Sequence, residues 1–499
     1  MNNTFDFSQF SKQSKKGILV IYLKLLYKVL KAFWVLLFLF IQKFSEFNES
    51  TFFYIYMGLG FLFLFFLIRA FLIYENFQFK VQNNHFILKQ GILKKTNTSI
   101  SFDRIQNINF KQNIIQQLIN VHEVNIETAG SNKTEISIKA LSFQKAKALK
   151  SQLSSYNSNI LKEESVAEKP FLKISLLELL KVSLTENHLQ SLLIFLALLL
   201  GLYQQLEQLF SGIGKDYLLN EYIEKSSNSF HQGVFVFIVL FILLVFIAIL
   251  SSFMRVFLFH FNLTVFIKDQ NFEIYQGLLT KKSIILKKDK IQSITISTNP
   301  IKKILGIFFI TFKQAVSGKV SGKRKDKLIR IVGCKKAQVS KIKEILFSFS
   351  EVDDLEKKQV HVYLKKRMYF LSFILLLILN GVFYLTFLDG LVFFGNVLLV
   401  PLFILFVHLI FNKRFYKISD DVLLVGSGVF DTHLTYLPFF KVQNIKMMQT
   451  FFQERNKVVD LVFQTASGEI KLPCIEKSEA IKIYNYTLFK VESSTDLWM

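Results

Sequence analysis

The chain has 499 residues, 51% of them apolar and only 20% charged, and its 61 Lys and Arg outnumber 37 Asp and Glu. That balance, with only two cysteines (Cys334 and Cys474), excludes disorder, a collagenous repeat and a disulfide-stapled secreted domain. An apolar chain with a net charge of +24 fits an integral membrane protein whose basic segments face the cytoplasm.

The first 16 residues are polar and no small-x-small cleavage site follows, so the first apolar run is expected to stay as an anchor. About 20 apolar residues cross the ~30 Å hydrocarbon layer. Six stretches reach that length, in three pairs: 21–42 with 51–74, 188–210 with 233–259, and 368–387 with 391–411. Lys24, Lys28 and Lys31 interrupt the first stretch as one helical stripe, the pattern of a snorkelling or amphipathic lead-in helix. The link after it carries Glu46 and Glu49 and no base; the second carries Glu207, Asp216, Glu221 and Glu224 against Lys215 and Lys225. Residues 1–44 hold seven Lys against Asp6. The positive-inside rule therefore predicts that both termini and all long polar segments lie in the cytoplasm.

After each apolar pair comes a polar stretch patterned as strands and turns, and the three stretches are copies of one another. FILKQGILKK, DRIQNI and VNIETAG recur as FEIYQGLLTKK, DKIQSI and ITFKQAVSG, then as VLLVGSGVF, FKVQNI and LVFQTASG. Gly91 to Gln106, Gly277 to Gln292 and Gly428 to Gln443 each span 15 residues. The following interval to Ala129, Ala315 and Ala466 is 23 in every copy. Each copy ends in a helical pattern, near 142–153, 335–349 and 476–489. The expected organisation is a hairpin at 17–74 and a β domain at 75–155, then an amphipathic lead-in with a hairpin at 171–259 and a domain at 260–350. The third unit is a hairpin at 360–411 and a domain at 412–490. The repeated glycines sit between strand-like runs, where positive φ or a bulge is often needed. Gln106, Gln292 and Gln443 admit two roles: an amide satisfying nearby backbone, or a shared peptide- or lipid-contact position.

Strand, Gly, strand, then (D/F)-(R/K)-(I/V)-Q-(N/S)-I, then a strand ending near T/Q-A, resembles the bacterial pleckstrin-homology-like domain. Three helical hairpins, each followed by such a domain, resemble the YdbT-like membrane proteins over residues 17–490. The third copy departs from the pattern at Phe440, where the first two have Asp103 and Asp289. The resemblance implies six transmembrane helices in three hairpins, each followed by a pleckstrin-homology-like β barrel or sandwich with a C-terminal helix. It also implies a protein partner, among them a smaller single-domain relative of the same type.

Motifs for chemistry are missing. No phosphate-binding loop, dinucleotide fingerprint, nucleophile elbow or paired-histidine zinc motif occurs, so no enzyme activity and no cofactor or metal is expected. Arg69 and Arg255 lie near the cytoplasmic ends of their runs, and Asn380, Asn396 and Pro401 punctuate the last pair. Charge singles out the middle copy: residues 260–366 hold 23 Lys and Arg against nine Asp and Glu, whereas 412–499 hold 11 against ten. Within it, Lys319, Lys323, Arg324, Lys325, Lys327 and Arg330 cluster in an enlarged hairpin tip, readable as a solvated loop or as a contact for anionic lipid. No nucleic-acid recognition motif accompanies that charge. These features predict a non-enzymatic scaffold that holds protein or anionic-lipid partners beside the membrane. The alternative is a transporter or permeability-modulating component in which the helices do the work.

Overall fold

Each repeat supplies a four-stranded meander, a three-stranded meander and a terminal helix, and the sheets run on from one repeat into the next. The computed structural model describes residues 5–42, 48–128, 136–154, 169–186, parts of 192–208, 230–268, 271–314, 329–347, 352–387 and 395–494. In the first repeat β1 (Ser11–Lys12), β2 (Gln78–Gln82), β3 (His85–Gln90) and β4 (Thr96–Ser101) form a sheet in that order. Asn83 and Asn84 join β2 to β3 with φ of 49° and 58°, as a two-residue type I′ turn requires. Alternation along β2 points Phe79 and Val81 inward, where Phe79 stacks between Phe7 and Phe86 at 6.1 and 5.8 Å. Next come β5 (Ile105–Asn113), β6 (His122–Thr128), β7 (Ile136–Leu141) and the helix Phe143–Ser154.

The second repeat follows the same order: β8 (Leu172–Lys173), β9 (Thr264–Lys268), β10 (Asn271–Gln276) and β11 (Thr280–Leu286), then β12 (Ile291–Thr298), β13 (Phe308–Gln314), β14 (Ile329–Cys334) and the helix Lys336–Phe347. So does the third, with β15 (Lys358–Gln359), β16 (Phe415–Ile418), β17 (Val422–Ser427) and β18 (Thr432–Pro438), then β19 (Val442–Met448), β20 (Val458–Thr465), β21 (Gly468–Glu476) and the helix Lys477–Ser493. The two-residue strands β1, β8 and β15 lie upstream of the apolar helices yet pair with β2, β9 and β16 beyond them. Every helical segment is thus inserted between the first and second strands of its own sheet.

Sheet order shows the joining. One seven-stranded sheet runs β7-β6-β5-β11-β10-β9-β8, and a second runs β14-β13-β12-β18-β17-β16-β15. The three-stranded half of one repeat is continuous with the four-stranded half of the next. A four-stranded sheet (β1 to β4) and a three-stranded one (β19 to β21) remain at the two ends.

Among the described residues, three helical segments are long and apolar enough to cross a membrane: Glu49–Glu75, Ile242–His260 and Asn396–Lys413. The expectation of six spans is corrected by this finding. Counting apolar runs of the right length credited six stretches, of which 21–42, 188–210 and 368–387 contain no qualifying segment among the described residues. Helix Gly17–Gln42 carries Lys24, Lys28 and Lys31, and helix Tyr363–Phe387 opens on Lys365, Lys366 and Arg367 before its apolar stretch. Much of 188–210 lies outside the described residues. The three qualifying segments bury at most 17% of their apolar window, so their side chains face outward, as lipid-facing helices do. Asn380 and Asn396 exchange amide hydrogen bonds of 3.0 and 2.9 Å between the last two helices, and Pro401 lies inside the second of them.

Candidate interaction surfaces

The joints between repeats are the most built-up contacts outside the cores. At the first, Phe110, Lys111, Gln112 and Asn113 of β5 face Ser283, Lys282, Lys281 and Thr280 of β11. Lys111 and Lys282 stand directly opposite each other, an unfavourable like-charge pair. Lys282 places its ammonium over the Phe259 ring, 4.5 Å from the centroid. Gln117 reinforces this joint, its amide donating to the carbonyls of Leu278 and Leu279 at 3.0 and 3.2 Å.

The second joint pairs five residues, Ile294 to Thr298 of β12, with Tyr436 to Thr432 of β18. Hydroxyls of Thr295 and Thr435 meet at 3.1 Å, and Ser297 Oγ lies 2.8 Å from His433 Nδ1. Tyr436 is fully buried in a core that also holds Ile294, Phe312 and Ile342 of the second repeat. Its hydroxyl donates to Asp353 Oδ1 at 2.7 Å, and Lys343 pairs with the other carboxylate oxygen. Burial alone would raise the Asp353 pKa; hydrogen bonds from Lys343 and Tyr436 outweigh it and hold the carboxyl below its ordinary range. Desolvation and the same carboxylate push the Tyr436 phenol well above its ordinary value.

Both joints share one register in repeat coordinates. Ser283, six residues after Gly277, faces Phe110, four after Gln106. Leu434, six after Gly428, faces Ile296, four after Gln292.

The repeated glutamines occupy β-bulges. Ile105 faces Thr128 and Asn107 faces Glu127, so Gln106 is the extra residue; Gln292 and Gln443 hold the same place on β12 and β19. Gln292 is buried and Gln443 exposed, so the shared feature is the backbone irregularity and not one side-chain environment. Gly91, Gly277 and Gly428 have φ of 112°, 105° and 128°, and a Cβ there would come within 2.1 Å of the carbonyl oxygen three residues on.

Of the basic cluster, Lys319, Lys323, Arg324, Lys325 and Lys327 lie outside the described residues. Arg330, the second residue of β14, pairs with Glu186 at 2.8 Å. Glu186 also faces the buried Lys302 at 3.6 Å, whose ammonium sits 3.9 Å from the Phe309 centroid. Desolvation lowers the Lys302 pKa, with Glu186 and Asp431 opposing that shift.

Sequence reading missed a fourth repeated position. Asn113, Asn299 and Thr450, each seven residues after a repeat glutamine, cap short helices at Ile114–Leu118, Pro300–Ile304 and Phe451–Arg455. Gln116 and Gln453 complete capping boxes in the first and third repeats; Lys302 replaces them in the second. The N-x-x-Q and T-x-x-Q spacing was the available signal. Both cysteines are buried, which pushes the thiols up to about 12 for Cys334 and about 11 for Cys474. Among the described residues no cluster of three His, Cys, Asp or Glu could hold a metal ion.

A model of the bacterial PH domain matches residues 27–157, 196–349 and 373–488, one match per repeat. The chain belongs to the bacterial PH domain family. Each match takes in the last three strands of the first meander, the whole second meander and all or most of the terminal helix of one repeat, and leaves out the short first strands β1, β8 and β15. The chain is also 23% identical over 433 residues to the "UPF0699 transmembrane protein YdbT" of Bacillus subtilis (strain 168), covering 82% of this chain and 84% of that protein. With three helices among the described residues long and apolar enough to cross a membrane, this bacterial PH domain protein is similar to that transmembrane protein over most of its length.

Proposed function

We propose that this protein is a non-enzymatic scaffold that presents three PH-like domains as one platform on the cytoplasmic face of a bacterial inner membrane. The observation that carries this reading is sheet continuity: β5 pairs with β11 and β12 with β18, so the domains form one array and not beads on linkers. An open sheet cannot extend through hydrocarbon, because its unpaired backbone groups would be unsatisfied there. All three domains therefore share one side of the bilayer, and the charge of the polar segments favours the cytoplasmic side. Anionic lipid headgroups are the ligand chemistry favoured by the excess of 14 bases in residues 260–366, at about 1 kcal/mol per base near an anionic surface.

Two measurements on the full chain test this. Asn97→Cys, Lys281→Cys and Lys471→Cys place one thiol in each domain, and an impermeant maleimide should label all three in inverted vesicles and none in intact spheroplasts. Labelling of any one from outside would overturn the common cytoplasmic face. A fluorophore at Ser321→Cys should shift to the blue in vesicles containing anionic lipid and revert as salt rises, since screening acts within about 8 Å at physiological ionic strength. Equal emission in neutral and anionic vesicles would remove lipid from the proposal.

A further inference from the structure

The two joints use one donor edge and one acceptor edge per contact, and among the described residues one of each is left over. Strands β5 and β12 donate; β11 and β18 accept. By repeat position, β19 is the third donor and β4 the third acceptor. Among the described residues each has a strand neighbour on one side only. We infer that β19 of one copy pairs antiparallel with β4 of a second copy, continuing the array from chain to chain in the register of the internal joints.

Register and composition both support a second copy as the occupant. Met447 is four residues after Gln443 and Asn97 six after Gly91, so the rule shared by Phe110–Ser283 and Ile296–Leu434 sets Met447 opposite Asn97. β4 reads TNTSIS and carries no charge, and β19 carries only Lys446, which would face Thr98. The like-charge opposition of Lys111 and Lys282, tolerated inside the chain, is absent from this pairing. Apolar side chains lie where the internal joints bring the short helix against the loop before the acceptor strand, as Gln117 meets Leu278 and Leu279. At the donor end Met448, Phe451 and Phe452 are 56%, 63% and 64% exposed. At the acceptor end Leu93 is 99% exposed, against 44% for its counterpart Leu279 inside a joint. An open edge beside uncovered apolar side chains is a template for strand addition. Because the contact is heterologous, it closes into a ring or runs on as a filament according to the rotation per copy.

The test uses two differently tagged full-length chains co-expressed in one membrane, one carrying Asn97→Cys and the other Met447→Cys. Facing residues in an antiparallel pair lie within disulfide reach, and the native thiols are buried. Oxidation should give a linked species of about twice 58.2 kDa bearing both tags. Lys471→Cys, on the opposite edge of the same terminal sheet, should give none in place of Met447→Cys. One chain carrying Lys111→Cys and Lys282→Cys should link internally, proving that oxidation reaches such sites. No doubly tagged species while that internal pair links would overturn the inference. So would equal linking by Lys471→Cys, or linkage of either edge to a smaller protein instead of a second copy.

Discussion

Tyr436, on the last strand of the third repeat's first sheet, donates a hydrogen bond from its hydroxyl to Asp353, in the segment that closes the second repeat, at 2.7 Å. The bond crosses the second joint from inside a shared core, so the two repeats are coupled through buried contacts as well as through strand pairing. Tyr436→Phe removes the donor and leaves the carboxylate with Lys343. A hydrogen bond to a charged group contributes about 1.5–3 kcal/mol, toward the lower end here because Asp353 is partly exposed. Amide exchange of β18 should accelerate relative to β20 in this variant. Unchanged protection of β18 would show that the bond contributes nothing to the joint.

Acid should loosen the same joint through His433. Desolvation lowers its pKa, with Asp431 opposing and Lys302, Arg330 and Lys413 adding to the decrease. A histidine held below its unfolded value of about 6.5 stabilises the fold above that pH and loses the contribution as pH falls through it. Exchange across β12 and β18 should therefore rise between neutral pH and about pH 5, and His433→Gln should flatten that dependence. A wild-type profile equally steep in the variant would assign the acid sensitivity elsewhere.

Gly277→Ala should disrupt the second repeat. Its φ of 105° and the 2.1 Å approach of Thr280 oxygen leave no room for a methyl group, at a cost of at least about 2 kcal/mol. Gly58→Ala, where an added Cβ meets nothing, is the neutral comparison. Limited proteolysis should cut the first variant within 260–350 and leave the second like wild type; equal resistance would contradict the clash.

The Asn380–Asn396 pair predicts a coupling between the last two helices. Replacing either by Leu strands the partner amide, so the double variant should lose less than the sum of the singles. A cycle in bilayers should return about 0.6–1.7 kcal/mol. Strict additivity would mean that the two amides act independently.

The repeat was legible because two spacings recur: Gly91, Gly277 and Gly428 mark an obligatory positive φ, and Gln106, Gln292 and Gln443 mark a bulge that shifts the register. The joints were not legible. Alternation along β5 or β11 says which face is buried and nothing about which strand lies alongside. Lys111 opposite Lys282 would even have argued against that pairing. The basic cluster read as one patch, but Arg330 is engaged by Glu186, a residue 144 positions away that no local pattern connects to it. Span counting rested on length and apolarity alone, and among the described residues only Glu49–Glu75, Ile242–His260 and Asn396–Lys413 meet both.

The β5–β11 joint also sets an order of events at the ribosome. Gln117 and its acceptor Leu278 are 161 residues apart, with the apolar helix Phe230–His260 between them. At about 5–20 residues per second, the first repeat waits on the order of 10–30 s for the strand that covers its edge. Throughout that interval β5 is a bare template on a nascent chain that is also threading a helix into lipid, and β12 repeats the wait one unit later. Polysomes crowd such intermediates together at the membrane, so the hazard in making this protein is premature pairing between neighbouring nascent chains, and a ribosome stalled between residues 118 and 278 should expose it most.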